Sequence, residues 1–496
     1  MATETEIKLS LSTRAALQLA QHPMLAGASR GRQLLINTYY DTPDRRLHHE
    51  RIVVRYRQNG RQWLLGVKTA PVIAAGLAQR GEWEVPGQPG EFGFSHVDSR
   101  PLRELLESLR DQLQPVFSTR FRRDSWLLEP RPGVRIELAL DRGWIEAGER
   151  RETIREVELE LYGGALTDLF AVVKELQAIL PLHPEASSKS ERAYRLLDSL
   201  PLSAVKALPV ATEGGMPSIA AFRLIALSCI GHLQNNEQGV RSSDEPEFVH
   251  QARVAIRRLR SAIRLWEPLL PESFVARFDP AWQVLATKLG DNRNWDVFLA
   301  ETLPSLGQAF PGGVEIERLG RYARKRCTDS RRASGKALAS ADYARLLIDF
   351  TDALVTLPDG AAAGQGQLAD FVPRCLGKRA KRVTERAAAA RSDVAARHRL
   401  RVAFKQLRYA LEFFCPILDG PLLTDYHQSA TSLQEMLGRL NDLAVASQLI
   451  AAPLRGGKGA AIQDWLAAQT ESLLPEFGIL LAEFQQRPVP WRSVGA

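Results

Sequence analysis

The chain has 496 residues, of which 45% are hydrophobic and 25% charged, with a formal net charge of +8. It is too long for one ordinary core and too hydrophobic for a disordered or fibrous class, so two or three globular domains are expected. The positive balance suits an anionic partner, and four widely separated cysteines with no C-x-x-C pair exclude a disulfide framework and a zinc site.

In chain order, residues 1–198 read as mostly β. EIKLSL, RIVVRYR, WLLGVK, GEWEV, GVRIELAL and REVELELY are short segments of alternating character separated by Gly/Pro-rich turns. Helical periodicity interrupts them at residues 102–113 and at Leu166–Ile179. Residues 199–217 hold three prolines and a glycine pair without a sustained period, and read as a linker. From 218 to 485, Ala/Leu/Arg-rich runs of 3.6-residue period predict helices, divided by LPDGAAAGQGQ into halves of about 218–356 and 368–485; residues 486–496 form a tail. The halves repeat. HQARVAIRRLRSAIRL at 250–265 returns as HRLRVAFKQLRYALEF at 398–413, and Leu289-Gly290 with Val297 returns as Leu437-Gly438 with Val445, both at an offset of 148. A duplicated all-α bundle is expected. With no basic leader before an apolar run, and no stretch of the ~20 apolar residues a bilayer span needs, a cytoplasmic protein without a membrane partner is expected.

Side chains alternate across a strand, so Glu4, Glu6 and Lys8 share one face while Thr5, Ile7 and Leu9 share the other. The layout recurs in Arg55 and Arg57, in Glu82 and Glu84, in Arg120 and Arg122, and in Glu156, Glu158 and Glu160. An ordinary solvated face mixes Thr, Ser, Gln and Lys; these rows are nearly pure Glu and Arg, and like charges at that spacing repel. A divalent cation on the acidic rows and a polyanion on the basic rows would offset the repulsion. The expected fold is an N-terminal antiparallel β-barrel tunnel with a charged lumen, followed by the helical bundle.

E-x-E-x-K at Glu4 to Lys8, R-x-R in VVRYR, Lys68 in GVKT, R-x-E-x-E at Arg80 to Glu84, R-x-R at Arg120 to Arg122, E-x-E-x-E at Glu156 to Glu160 and SKSERAY at Ser188 to Tyr194 follow one another in order. In this the first domain resembles the CYTH family, the triphosphate tunnel metalloenzymes. The resemblance implies a tunnel that holds a linear triphosphate and hydrolyses or rearranges it with Mg²⁺ or Mn²⁺. Carried over by position, Glu4, Glu6, Glu156 and Glu158 are the implied metal ligands, with Glu160, Asp141 and Glu137 as helpers. Lys8, Arg55, Arg57, Lys68, Arg120, Arg122 and Lys189 are the implied triphosphate clamp, with Lys8 open between clamp and base. Tyr194, His48 and His49 are read as structural or surface groups.

His250, Arg253, Arg257, Arg260 and Arg264 fall at spacings that put all five on one helix face. The second copy offers His398, Arg401, Lys405 and Arg408 before Glu412. A solvated face usually alternates sign, so an uncompensated Arg-rich stripe points to a phosphate-bearing anion. These motifs, each followed by an L-G segment, resemble the two halves of a CHAD domain, which implies binding of long-chain polyphosphate. Asp296 and Asp442 stand in NRNWDV and LNDLAV instead of a repeated R-D-x-D-V form, so capping or packing is their expected role.

The leading expectation is a Mg²⁺-dependent inorganic triphosphatase that yields pyrophosphate and phosphate, its helical domain binding polyphosphate and associating with polyphosphate granules. The alternatives are a nucleoside or thiamine triphosphatase, an adenylate cyclase-like enzyme, and a granule-binding protein with little turnover. Nucleic acid ranks last as partner of the helical stripe, because few aromatics interleave with it.

Overall fold

The structure, a computed structural model, describes residues 3–69, 72–199, 201–358, 366–391, 393–418, 421–454 and 459–491. Two compact units emerge. One takes the N-terminal residues through Ser203 together with Ala339–Thr356; the other takes Ala204–Leu338 and the chain from Leu357 onward.

The first unit is built on strands β1 (Thr3–Ser10), β2 (Ser29–Asp41), β3 (Val53–Asn59), β4 (Gln62–Lys68), β5 (Val72–Ala74), β6 (Leu77–Pro86), β7 (Gln114–Leu128), β8 (Arg135–Ala147), β9 (Arg150–Gly163) and β10 (His183–Pro184). Eight of them close into an antiparallel barrel in the order β1-β9-β8-β7-β2-β3-β4-β6, because β1 pairs with both β9 and β6. The alternating pattern turns most of the strands' apolar residues outward. Val54, Tyr56, Val67 and Trp83 pack with Phe94 and with Leu106 of the helix Arg100–Leu109. On another wall, Leu138, Leu140, Val157 and Leu159 lie beneath Leu169, Val172 and Val173 of the helix Leu166–Ile179. On most strands the charged face is left pointing into the lumen, as expected from the sequence, with β7 the exception. A third apolar cluster joins the lumen residues Leu35, Tyr39 and Phe121 to Ala193 and Tyr194 of the helix Lys189–Asp198.

The helix Ala341–Val355 departs from the sequence reading, which grouped it with the first helical half. It belongs to the barrel unit. Ile348, fully buried, enters the layer formed by Leu169, Val172 and Val173, and Lys174 pairs with Asp349 at 3.3 Å. A carboxylate in place of Ile348 would sit unpaired in that layer. Ile348→Asp should therefore destabilise the barrel unit by about 3 kcal/mol or more in thermal or urea unfolding, whereas Arg345→Ala, at an exposed ion pair, should change it by less than about 0.5 kcal/mol.

The second unit is helical. The helices Pro246–Trp266 and Val394–Phe414 each have 21 residues, with His250 and His398 at the same place in each. The long helices Glu272–Val297 and Pro421–Ala451 follow them and carry Gly290 and Gly438. The segments that lead into the two halves meet in a bridge between Pro217 and Gln367, beside which the Leu368 N–H donates to the Met216 carbonyl at 2.8 Å. Among the described residues no helix is long and apolar enough to cross a membrane.

Candidate active site

The barrel encloses a cavity of about 630 Å³ lined from all eight strands. β1 supplies Glu4, Glu6 and Lys8; β3 and β4 supply Arg55, Arg57 and Lys68; β6 supplies Arg80, Glu82 and Glu84. β7 adds Phe121 and Arg123, and β9 adds Glu158 and Glu160. One more cation comes from the helix Lys189–Asp198. Its cap Ser188 accepts the Glu191 N–H at 3.1 Å, while the Glu191 carboxylate accepts the Ser188 N–H at 2.7 Å, a reciprocal cap that fixes Lys189 against the lumen.

Every lumen cation among these is already engaged. Lys68 donates to Glu4 at 2.9 Å and pairs with Glu82 at 2.8 Å; Arg80 bridges Glu4 at 2.8 Å and Glu6 at 2.5 Å. Arg55 lies between Glu82 (3.1 Å) and Glu84 (2.9 Å), and Arg57 between Glu84 and Asn37. Arg123 forks onto both oxygens of Asp141 at 2.7 Å and also meets Glu158. Lys189 reaches Asp141 and Glu158, each at 2.8 Å, as well as Glu156. Lys8 donates to the Ser187 carbonyl at 2.7 Å.

The carboxylates divide by surroundings. Burial opposes the charge on Glu4, but Lys68 and Arg80 outweigh it and hold Glu4 well below the usual range. Glu158 is likewise held low, burial being overcome by Lys189 and Arg123. Glu6 moves the other way, raised by burial and by Glu158, and Glu160 is pushed up to about 7 by burial with Glu4 and Glu82 nearby. Glu6 and Glu160 are cross-strand partners, as are Lys8 and Glu158. The β1/β9 wall thus carries more carboxylate than its cations satisfy, and hard oxygen donors in local excess fit a divalent cation. A second group, Asp141, Glu156 and Glu158, brings one oxygen from each within 4.8 Å of the others.

Two sequence expectations need correction. Arg120 and Arg122 are exposed and share their face with Asp124 and Trp126; the lumen parity on β7 belongs to Phe121, Arg123 and Ser125. Arg123, passed over in the sequence, takes the inward place, with its guanidinium and the Lys189 ammonium both over the Phe121 ring. Glu156 does not line the main cavity. Only 1% exposed, it is enclosed with Lys189 and Arg192. Tyr194 donates to Asp41 at 2.6 Å and stacks on His48, in the cluster that seats its helix.

The helical unit gathers a second set of cations. Arg253 and Arg257 of one motif helix meet Arg401 and Lys405 of the other: after burial, Lys405 owes its fall to about 6 to Arg257, Arg401 and Arg253. Arg253 falls to about 10 and His250 to about 4, burial again leading, and Arg293 contributes to both. Arg293 was absent from the sequence stripe because it comes from the next helix. The far end of the first stripe is not uncompensated: Asp279 accepts from Arg260 at 2.9 Å and from Arg264 at 2.9 Å. Arg408 pairs with Glu412, and His398 is exposed. Asp442 faces Arg401 and Lys405, whereas Asp296 pairs with Arg331 at 3.1 Å.

A closed barrel with opposed carboxylate and guanidinium rows defines a charged tunnel. The CYTH domain family model matches residues 2–194 and the CHAD domain model residues 224–451, so the chain joins a CYTH domain to a CHAD domain. It is 34% identical over 197 residues to the inorganic triphosphatase of Haemophilus influenzae, a match covering 40% of this chain and 55% of that protein. The chain thus spans about half the length of that relative. Among solved structures, the CHAD domain from the plant Ricinus communis is 30% identical with a TM-score of 0.45, covering 59% of this chain and 95% of its own. A putative adenylyl cyclase from Hippeastrum with a dominant triphosphatase activity is 20% identical with a TM-score of 0.31, covering 40% of this chain and 95% of its own.

Proposed function

We propose that the barrel hydrolyses inorganic triphosphate to pyrophosphate and phosphate with a divalent cation, Mg²⁺ foremost, and that the helical unit holds long-chain polyphosphate. The observation that carries the reading is a single cavity in which Arg55, Arg57, Lys68, Arg123 and Lys189 face Glu4, Glu6, Glu158 and Glu160. Glu4, Glu6, Glu158 and Glu160 would hold the cation, which when bound supplies charge neutralisation at the transferring phosphoryl group and an activated water. The protein's own part is positional. Arg55, Arg57 and Arg123 fork onto phosphate oxygens, Lys68 and Lys189 add point charges, and the chain is held in line for displacement. Each guanidinium is already oriented by a carboxylate, so little side-chain order remains to be imposed when substrate arrives. Lys8, tied to the Ser187 carbonyl, serves as a clamp in this scheme.

The test is phosphate release from tripolyphosphate, ATP, thiamine triphosphate and long-chain polyphosphate, with and without Mg²⁺. Tripolyphosphate should be the best substrate and chelator should stop the reaction; faster turnover of ATP would reject the substrate assignment.

Polyphosphate on the helical unit should bind with a defined pH dependence. Burial, with Arg257, Arg401 and Arg253 nearby, pushes Lys405 down to about 6, and a bound polyanion favours its charged form and raises that value. Above pH 6 binding must then take up a proton, so affinity should fall as pH rises from 6 to 8, by up to tenfold per unit. Titration calorimetry in buffers of different ionisation enthalpy should read the uptake, and Lys405→Arg should reduce both the uptake and the slope.

A further inference from the structure

The residues that failed to enter the tunnel form a surface of their own. On the outer wall of the barrel, Arg122 of β7 stands directly opposite Arg142 of β8, which stands opposite Arg155 of β9; Leu34 of β2 completes the row. The next row reads Ile36, Arg120, Trp144, Thr153. Three like charges side by side across neighbouring strands are unfavourable without a partner. One carboxylate answers them. Asp124, 1% exposed, accepts from Arg32 at 2.9 Å and Arg30 at 3.3 Å, and pairs with Arg142 and, at 3.7 Å, with Arg122. It acts as a hub that splays four guanidiniums while neutralising one. Arg120 and Arg155 add two more charges, and among the described residues neither has an ion-pair partner. Amid the charges, Trp144 is 48% and Leu34 50% exposed, on the stretch of the sheet face beyond the part that the helix Leu166–Ile179 covers.

We infer that this outer face binds single-stranded nucleic acid, the arginines meeting successive phosphates and Trp144 stacking on a base. Strands lie about 4.8 Å apart and same-face residues about 6.7 Å apart along each strand, so two rows across four strands make a platform some 15 Å long. That accommodates a few nucleotides. The Arg-only charge fits phosphate oxygens, and exposed aromatics on an antiparallel sheet are the usual stacking surface for unpaired bases. A bare phosphate chain would use the arginines but has no ring to set on Trp144 or Leu34. The inference is independent of what the tunnel hydrolyses.

The test uses the full chain carrying Arg257→Ala and Arg401→Ala, to silence the helical cluster, with excess tripolyphosphate to occupy the tunnel. Binding of a fluorescent 5′-hydroxyl oligouridylate of twelve nucleotides is followed by anisotropy at several salt concentrations. Arg122→Ala with Arg142→Ala should weaken binding at least tenfold and reduce the salt slope by about 1.5. Trp144→Ala should weaken it roughly tenfold with the slope unchanged, and should leave competition by polyphosphate of equal length untouched. Unaltered triphosphate turnover by the Arg122→Ala, Arg142→Ala and Trp144→Ala proteins serves as the folding control. No oligonucleotide binding, no effect of Trp144→Ala, or an equal loss of polyphosphate affinity on removing Trp144 would each overturn the inference; the last would make the face a simple polyanion site.

Discussion

Glu4→Gln and Glu6→Gln should each lower metal-dependent tripolyphosphate turnover by about a thousandfold, the scale set by losing a Lewis-acid site worth several kcal/mol. Their effects on stability should have opposite signs. Burial disfavours both charges, but Glu4 is over-compensated by Lys68 and Arg80, so its folded-state value lies below the unfolded one and its charge stabilises the barrel at neutral pH. Glu6, raised by burial and by Glu158, is protonated more readily folded than unfolded, and its charge costs stability above the unfolded value near 4. In chelator at pH 7, Glu4→Gln should lower the thermal midpoint and Glu6→Gln should raise it. As pH falls toward 4 the Glu6→Gln shift should shrink, whereas the Glu4→Gln shift should persist and fade only below about 4. Midpoints that both fall would show that Glu6 is satisfied without a metal.

Arg123→Ala should reduce turnover by about a hundredfold, comparable to removing one positioned donor from a transition-state site, whereas Arg120→Ala and Arg122→Ala should change it less than twofold. The argument rests on strand parity. Arg123 points into the cavity beside Lys189, and its neighbours in sequence point away from it. Because Asp141 and Glu158 would lose their fork, Arg123→Lys is the sharper variant: it retains a charge but not the bidentate geometry, and should recover only part of the activity. If Arg122→Ala proved as damaging as Arg123→Ala, the assignment of lumen and exterior on β7 would be wrong.

The barrel was legible because most strands keep one face apolar and one face charged, and a two-residue period cannot be satisfied in two ways at once. β7 is where this reading slipped. Both of its faces carry arginine, and Phe121, which looks like a core residue, lines the lumen. The usable signal was Trp126, whose burial in the apolar cluster outside the barrel fixes the parity of the whole strand. The duplicated helices were equally plain, since both copies repeat at one offset. The pairing of Arg260 and Arg264 with Asp279 was invisible, because a stripe on one helix says nothing of the acid that the next helix brings opposite it.

The helix Ala341–Val355 sets an order of events on the ribosome. The last strand of the first unit's sheet ends near residue 184, but the wall over Leu169 and Val173 is not completed until Ile348 has been synthesised and released from the exit tunnel. At about 5–20 residues per second, the intervening length takes roughly 8–30 s to make. For that interval the nascent barrel carries a bare apolar strip, and its maturation waits on a segment flanked on both sides by sequence of the helical unit. Synthesis of one unit is thereby a precondition for finishing the other, and a chain truncated before residue 341 would leave the ribosome with that strip uncovered.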